Sequence, residues 1–332
     1  MGRTLVTGGA GFLGSHVTAA LLDRGHEVTV LDDLSGGFRA NVPPAAHFVE
    51  GSIADAPLVD AVFADGRFTH VFHLAAYAAE GLSHFIRRFN YTNNVIGTVN
   101  LVSASVGTGV GTFVFTSSIA VYGAAPALPV TEAMVPVPAD PYGIAKYAVE
   151  LDLRSCHDMF GLDFIIFRPH NVFGPRQNIG DRYRNVVGIF MNQVLQGLPM
   201  TIFGDGSQTR AFTYIDDVAP LIAESIDVPD ARNRVFNIGA DAACSLNHLA
   251  DLVAAAMGVD PAVTHLAPRH EVTHIHADHG EVRRVFGPRD HTPLHEGLAR
   301  TAAWVREHGS RTTRPFEGIE ISTKLPDVWR GR

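Results

Sequence analysis

The first half of the chain alternates short apolar runs with longer stretches in which apolar residues recur at helical spacing. The short runs, typical of β-strands, are Arg3–Thr7, Glu27–Leu31, His47–Glu50, His70–His73, Thr112–Thr116 and Asp163–Arg168. Helical patterns lie near Phe12–Arg24, Asp55–Ala64, Leu82–Val106 and Tyr142–Phe160. Regular alternation of strand and helix predicts an α/β fold with a doubly wound parallel sheet, covered by helices on both faces.

This pattern changes after residue 168. Gly and Pro become frequent and the segments shorten, which indicates a smaller C-terminal portion built over the strand ends. We predict a large domain over residues 1–168, joined by a strand and helix from residues 212–241, with the strand near Val235–Ile238. Residues 169–211 and 242–332 are predicted to form the smaller portion, and Arg311–Arg332 a surface tail.

Charge and composition narrow the class of protein. A net charge of −8 argues against nucleic acid as a partner, because nucleic-acid binders need a basic surface. No apolar run reaches the roughly 20 residues of a membrane helix. Cys156 and Cys244 lack metal-ligand spacing, and no ligand set completes the histidine-rich stretch around His274 and His276. We expect a cytoplasmic enzyme without a metal or a membrane partner.

A glycine motif follows the first predicted strand. Gly8, Gly11 and Gly14 have the spacing G-x-x-G-x-x-G and lead into a helical pattern through Phe12 and Leu13. At such a junction the first glycine permits a tight turn, the second lets a pyrophosphate approach the backbone, and the third lets the helix pack on the strand. The helix N-terminus offers free N–H groups to the same pyrophosphate. The sequence therefore predicts a Rossmann dinucleotide-binding sheet.

The second predicted strand leads into two acidic residues, Asp32 and Asp33. A carboxylate at this place accepts hydrogen bonds from the ribose hydroxyls and repels a 2′-phosphate. The cofactor is therefore expected to be NAD and not NADP. Asp32 is the first candidate for the ribose contact, and its neighbour Asp33 is the alternative.

Three residues have the chemistry of proton transfer. Ser118 follows an apolar strand, at the edge of the sheet where ligands bind. Pro141 marks a helix start, so Tyr142 and Lys146 lie one turn apart on one helical face. Lys146 is one of only two lysines in the chain. We expect Lys146 and a positive nicotinamide to lower the pKa of Tyr142 toward the working pH, so that its phenolate acts as the base.

Further motifs complete a family pattern. They are Val71–Ala76 (VFHLAA), Asn93–Thr98 (NNVIGT), Arg168–Pro175 (RPHNVFGP) and Gly204–Arg210 (GDGSQTR). Together with the glycine motif and the Ser118/Tyr142/Lys146 set, they resemble the extended short-chain dehydrogenases/reductases, and specifically the UDP-galactose 4-epimerase group. The resemblance runs from residue 3 to residue 300. It implies an NAD-dependent enzyme whose substrate is a UDP-sugar.

The resemblance also implies roles for individual positions. Ser52 and Ile53 stand where the family has Asp-Ile against the adenine, so Ser52 is a departure. Arg210 is expected to hold the nucleotide diphosphate, with Arg269 as a weaker match to a second diphosphate arginine. The other implied cofactor contacts are Leu74, Ala75, Ala76, Asn93, Thr116, Tyr142, Lys146 and Pro169, and the other implied substrate contacts are Ser118, Asn171 and Asn185.

Two positions bear on the reaction type. In the resembled family, 4,6-dehydratases carry Asp-Glu directly before the Val-Tyr-Gly segment and decarboxylases keep a Glu there. This chain has Ile119 and Ala120 instead, which transfer no proton. That favours a 4-epimerase, which oxidises C4 of the sugar to a ketone and then gives the hydride back.

Several alternatives stay open at this level. UDP-glucose/UDP-galactose is the expected substrate pair, with UDP-glucuronate or a UDP-N-acetylhexosamine as alternatives. A 4,6-dehydratase, a decarboxylase or a catalytically silent NAD-binding protein is less favoured. Glu80, just past the VFHLAA motif, faces either the sugar or the solvent. The family implies a homodimer formed by the helices near Leu82–Val106 and Tyr142–Phe160.

Overall fold

The computed structural model describes residues 2–313 and 315–330. Its strands are β1 (Arg3–Thr7), β2 (Glu27–Asp32), β3 (His47–Glu50), β4 (His70–His73), β5 (Thr112–Thr116), β6 (Asp163–Pro169), β7 (Val172–Phe173), β8 (Met200–Phe203), β9 (Thr209–Ala211), β10 (Thr213–Tyr214), β11 (Arg234–Ile238), β12 (Ala243–Ser245), β13 (Val263–Leu266) and β14 (His274–Ile275). Its α-helices are α1 (Phe12–Asp23), α2 (Ala56–Gly66), α3 (Glu80–Ser83), α4 (Arg87–Tyr91), α5 (Gly97–Thr108), α6 (Pro141–Phe160), α7 (Val186–Leu195), α8 (Ala219–Glu224), α9 (Leu246–Met257), α10 (Gly280–Phe286) and α11 (Leu294–His308).

The predicted α/β fold with a parallel Rossmann sheet is confirmed. Seven parallel strands lie side by side in the order β11-β6-β5-β4-β1-β2-β3. The order reverses direction between β1 and β4, where Thr7 pairs with His73 on one side and with Leu31 on the other. In such sheets the loops on either side of the reversal diverge at the carboxyl ends of the strands and leave a crevice for a ligand.

The C-terminal portion is built from short strands and from the helices α7, α9, α10 and α11. β8 pairs with β13, β7 pairs with β10, and β9 lies between β12 and β14. Helices α7, α9 and α11 pack against one another through buried side chains such as Phe190, Leu249 and Leu298. The segment Val235–Ile238 lies within β11, at the edge of the large sheet beside β6. The portion therefore stands over the carboxyl ends of the strands and provides the second wall of the crevice.

The helix predicted over Leu82–Val106 is interrupted in the structure. It begins as α3 and α4, continues as a π-helical turn over Thr92–Ile96, and becomes regular only in α5. The reason is a set of side chains that bond to backbone outside the helix. Asn94 Oδ1 accepts from Tyr77 N at 2.9 Å, and Asn90 Nδ2 donates to Pro141 O at 2.9 Å. Tertiary bonds of this kind override local helical spacing, and π-turns often mark functional regions.

Residues 311–330, here called the C-terminal segment, do not form the predicted surface tail. Leu325 and Trp329 are only 5% and 4% exposed, and they pack with Leu82 and Ile86 in one apolar cluster. Glu320 accepts hydrogen bonds from the backbone N–H groups of α4. Apolar side chains near the chain end thus pack on α3 and α4, which corrects the tail prediction. Arg314, Gly331 and Arg332 of the predicted tail lie outside the described residues.

None of the helices in the described ranges combines the length and apolar character needed to cross a membrane.

Candidate active site

Two clefts open at the carboxyl ends of the strands. The cofactor cleft is lined by residues that include Gly8, Gly11, Asp32, Ala75 and Asn93. The substrate cleft lies between the large sheet and the C-terminal portion and is lined by residues that include Ser118, Tyr142, Lys146, Arg210 and Arg269. The two clefts share the lining residues Phe12, Leu74, Ala76, Arg184 and Asn185. They therefore form one continuous groove.

The glycine motif shapes the cofactor cleft by keeping backbone close to backbone. Gly8 has φ +74°, and a Cβ there would lie 2.6 Å from the backbone nitrogen of Ala75. A Cβ on Gly14 would lie 2.1 Å from Gly8 O, so Gly14 allows α1 to pack on β1 although it does not line either cleft. Gly11 caps α1 without a side chain, which leaves first-turn N–H groups free for an anion. The shape of this loop therefore suits the pyrophosphate that the sequence predicts.

Asp32 and Asp33 occupy different environments at the end of β2. Asp32 is 8% exposed, and its carboxylate accepts from Ala10 N at 3.0 Å and Leu34 N at 2.8 Å. Burial raises the pKa of Asp32, against these two hydrogen bonds. Asp33 is open to solvent and also lines the cofactor cleft. Both carboxylates therefore face the place predicted for the ribose, with Asp32 the more rigidly held.

All of the other predicted cofactor residues line the groove, except Gly14, described above, and Ser52. Ser52 lies outside the lining of either cleft, and its hydroxyl accepts from Ala54 N at 3.2 Å. The predicted residues that line the cofactor cleft are Phe12, Ile53, Leu74, Ala75, Ala76 and Asn93, and those that line the substrate cleft are Leu13, Thr116, Tyr142, Lys146 and Pro169.

The first turn of α6 positions the candidate base. Asp140 caps the helix by accepting from Gly143 N at 2.9 Å, and Pro141 is the first helical residue. Tyr142 is 5% exposed and lines the substrate cleft together with Ser118. One turn later, Lys146 Nζ donates to Thr116 O at 2.8 Å and lies 5.8 Å from the Tyr142 ring centre. The three predicted catalytic side chains therefore meet at the inner end of the substrate cleft.

The electrostatics of Tyr142 differ from the sequence prediction. Burial raises the pKa of Tyr142 above its ordinary value, and the next largest cause is the nearby carboxylate of Glu80. Lys146 does not reverse this, because burial lowers the pKa of its own amine to about 7. The protein alone therefore favours Tyr142 as a neutral phenol, and the lowering expected from Lys146 together with a bound nicotinamide stays a prediction.

Behind α6 lies a buried polar network. Glu150 and Arg168 form a two-pronged ion pair, with Arg168 Nη2 at 2.5 Å and Nε at 2.9 Å from the carboxylate oxygens. Ser117 Oγ donates to Glu150 at 2.6 Å, and Arg168 Nη1 donates to Tyr122 OH at 2.6 Å. The Tyr122 hydroxyl in turn donates to Asn237 at 2.8 Å. This network ties α6 to the ends of β5, β6 and β11.

The substrate cleft contains all of the predicted substrate residues. Arg210 is held by backbone, since its Nη1 donates to Thr209 O and Thr273 O, each at 2.8 Å, and its Nη2 to Val272 O. Arg269 pairs with Glu271 at 2.8 Å. The remaining predicted residues that line this cleft are Ser118, Asn171 and Asn185. Two guanidinium groups in one cleft suit a diphosphate.

Sequence reasoning missed several residues of the site. Glu150 has the same face of α6 as Tyr142 and Lys146, at four-residue spacing, so an inward-facing carboxylate was detectable from the helical period. Arg184 lines both clefts and stacks on Tyr77 at 4.6 Å, but it lies in an irregular loop that carries no such signal. Within the described residues, no group of three or more His, Cys, Asp or Glu is placed to hold a metal ion.

Together the two clefts fit a dinucleotide-dependent enzyme of the short-chain dehydrogenase/reductase class, with a buried tyrosine and a glycine loop lining one groove. The model of the NAD dependent epimerase/dehydratase family matches residues 4–239. The chain belongs to this family, and NAD is its cofactor.

This chain aligns with nearly the whole length of individual relatives. UDP-glucose 4-epimerase of Mycolicibacterium smegmatis is 37% identical over 311 residues, which are 92% of this chain and 98% of the relative. dTDP-glucose 4,6-dehydratase of Streptomyces antibioticus is 34% identical over 316 residues, 92% of each. The crystal structure of UDP-glucose 4-epimerase from Thermus thermophilus in complex with NAD has a TM-score of 0.86 and 34% identity, covering 92% of this chain and 99% of that one. The chain is thus similar to enzymes of two reaction types.

Proposed function

We propose that this protein is an NAD-dependent 4-epimerase of UDP-hexoses, which interconverts UDP-glucose and UDP-galactose through a transient 4-keto sugar. The observation that supports the epimerase is the chemistry of the segment after Ser118, which packs on the first turn of α6 at Gly143. Ile119 and Ala120 take the places at which dehydratases of the resembled family carry Asp and Glu, and they are 5% and 7% exposed. Ser118 and Tyr142 act on the 4-hydroxyl, and no proton-transferring side chain stands at these two positions for C5 and C6.

The protein side of the cycle follows from the contacts of Tyr142. As the phenolate it takes the proton of the 4-hydroxyl, while Ser118 holds the same oxygen by a hydrogen bond. NAD, when bound, supplies the acceptor and then the donor of the C4 hydride. Because burial and Glu80 both raise the pKa of Tyr142, the phenolate forms only where a positive charge comes close to the ring. The base is thus active only in the cofactor-loaded enzyme.

Epimerisation also requires the 4-keto sugar to present its opposite face. We assign Arg210 and Arg269 to the diphosphate, which stays fixed while the sugar turns about its bond to that diphosphate. Arg210 is suited to this role because three backbone carbonyls already hold its guanidinium. A rigid donor loses little freedom when it binds an anion.

One experiment separates the epimerase from the dehydratase and decarboxylase. The NAD-loaded enzyme is incubated with UDP-glucose carrying deuterium at C5, and products are separated by chromatography and mass spectrometry. We expect UDP-galactose with the deuterium retained, since a 4-epimerase does not touch the C5–H bond. Loss of water, release of carbon dioxide or exchange of the C5 deuterium would contradict the proposal.

We also propose a homodimer. The helices that the resembled family uses for pairing carry large apolar side chains that face outward. These are Ile96 (52% exposed) and Val99 (38%) at the start of α5, and Ile144 (41%) and Leu151 (49%) on α6. An outward apolar stripe on two neighbouring helices supports a helix-to-helix interface with a second copy.

A further inference from the structure

The substrate cleft contains a carboxylate that the proposed cycle does not use. Glu80 is the first residue of α3 and lines the cleft together with Ser118, Tyr142 and Arg210. Its side chain is exposed to the solvent of the cleft. No described residue gives this carboxylate a hydrogen bond or an ion pair. An unpaired acceptor next to the catalytic tyrosine is available for the substrate.

The backbone fixes where this carboxylate stands. Ser83 Oγ donates to Glu80 O at 2.6 Å and accepts from Tyr142 N at 3.2 Å. Helix α3 is thus attached to the first turn of α6, and Glu80 keeps a set position relative to Tyr142. Its charge is the largest charge effect on the pKa of both Tyr142 and Asp140, and in each case it raises the pKa.

Neither arginine of the cleft forms an ion pair with Glu80. Arg210 donates to backbone carbonyls, and Arg269 pairs with Glu271. Burial raises the pKa of Glu80. The positive charges of both arginines act on it only across the cleft, and they lower this pKa. With a diphosphate bound, the two positive charges have a stronger partner. Glu80 then remains at the sugar end of the cleft without a direct partner from the protein.

We propose that Glu80 determines substrate class: it accepts a hydrogen bond from a hydroxyl near C4 of a neutral hexose and excludes hexuronates. The inference rests on the proposed function, since it assumes that the sugar lies at Tyr142. A carboxylate is an acceptor only, so it pairs with a hydroxyl and repels a second carboxylate at the same place. UDP-glucose and UDP-glucuronate have the same ring and nucleotide and differ at C6, and they therefore isolate this charge.

The test measures binding to the NAD-loaded full chain by calorimetry, with UDP, UDP-glucose and UDP-glucuronate as ligands. The wild type should bind UDP-glucuronate at least about tenfold more weakly than UDP-glucose, as expected for like charges in a protein cleft. In Glu80→Gln this ratio should fall by at least about tenfold. The affinity for UDP alone should change little, because UDP carries no sugar.

Glu271→Gln is the matched control. It also removes one negative charge from the substrate cleft, but the lost charge is the partner of Arg269. The affinities for UDP, UDP-glucose and UDP-glucuronate should therefore shift together, without a change in the ratio of the two sugars. An unchanged ratio in Glu80→Gln, or equal binding of both sugars by the wild type, would overturn the role of Glu80.

A pH profile provides a second measurement. Since the Glu80 charge raises the pKa of Tyr142, Glu80→Gln should move the acid limb of kcat toward lower pH, and a limb that stays in place contradicts the electrostatic contact.

Binding and turnover also separate the two proposals. If neither sugar is epimerised but the binding ratios hold, the 4-epimerase fails and the role of Glu80 stands. If UDP-glucuronate is epimerised in preference to UDP-glucose, the role of Glu80 fails and the 4-epimerase stands.

Discussion

Tyr142 enters the substrate cleft from the first turn of α6, where its backbone N–H donates to Ser83 Oγ. Burial and a neighbouring carboxylate keep the phenol neutral in the protein alone. The positive charge that a bound NAD brings is then needed for deprotonation. At the scale of single residues, the proposed base is therefore expected to depend on the cofactor.

Tyr142→Phe tests the base directly. The variant should fold and bind NAD but lose at least about 100-fold in kcat, the usual effect of removing a positioned acid or base. Tyr147→Phe is a suitable control, because Tyr147 lies on the same helix but packs in an apolar cluster and does not line the substrate cleft. Turnover assays on both variants decide the matter, and near-normal activity of Tyr142→Phe would remove the proposed role.

Asp140 gives a pH prediction. Burial and the Glu80 charge raise the pKa of Asp140 from 3.8 to about 7. Because its pKa is higher in the folded state, Asp140 holds its proton more tightly there than in the unfolded chain. The resulting stabilisation is complete below the pKa of the unfolded chain, near pH 4, and it is lost as the pH rises through about 7. Asp140→Asn keeps an N-cap of similar strength and removes the titration. Relative to the variant, the wild type should therefore lose stability between these two pH values.

Thermal unfolding of both proteins across this pH range measures the effect. A Tm difference that stays constant with pH would show that the pKa of Asp140 is not raised in the folded protein.

At the scale of secondary-structure elements, the Glu150–Arg168 pair connects α6 to the sheet at β6. Both side chains are almost fully buried, at 0% and 1% exposure. Glu150→Gln leaves a buried guanidinium without its counter-charge, which typically costs about 3–5 kcal/mol of unfolding free energy. Urea denaturation measures this loss.

Glu296→Gln is the comparison for that experiment. Glu296 also pairs with an arginine, Arg300, but on the exposed face of α11. An exposed pair of this kind contributes little, so the variant should unfold at nearly the wild-type urea concentration. Equal losses in both variants would show that burial of the Glu150 pair is unimportant.

The elements also show what the sequence could predict. β5 is buried along its whole length, and such apolar runs indicate central strands wherever they occur. The glycine motif and Tyr142/Lys146 were predictable because fixed local spacing carries their geometry. The break between α3 and α5 was not, because it depends on side-chain bonds from Asn90 and Asn94 to distant backbone. The orientation of Glu80 likewise depends on tertiary contact between α3 and α6.

At the scale of the whole molecule, the exposed apolar residues of α5 and α6 predict the assembly. We expect a solution mass of about twice the 35.7 kDa of one chain. Leu151→Arg should convert the protein to a monomer, because it places a charge in the proposed interface. Leu198→Arg is the control, since Leu198 is similarly exposed, 53% against 49%, but lies outside both helices. Light scattering after size-exclusion chromatography distinguishes the outcomes, and a monomeric wild type would contradict the dimer.

The end of the C-terminal segment packs beside Arg269, which we propose holds the diphosphate of the substrate. Trp329 lies 5.6 Å from the Arg269 guanidinium, and a Cβ on Gly81 would lie 3.1 Å from the Trp329 ring. Two events that share a residue are thermodynamically linked, and the linkage is reciprocal. Whatever factor the packed segment adds to the affinity for UDP, UDP adds the same factor to the packing of the segment.

This reciprocity connects two measurements that otherwise look unrelated. If a chain ending at residue 310 binds UDP about tenfold more weakly, UDP should slow proteolysis within residues 311–330 of the full chain by about the same factor. The rate at which a protease trims the C terminus would then report how fully the nucleotide site is occupied.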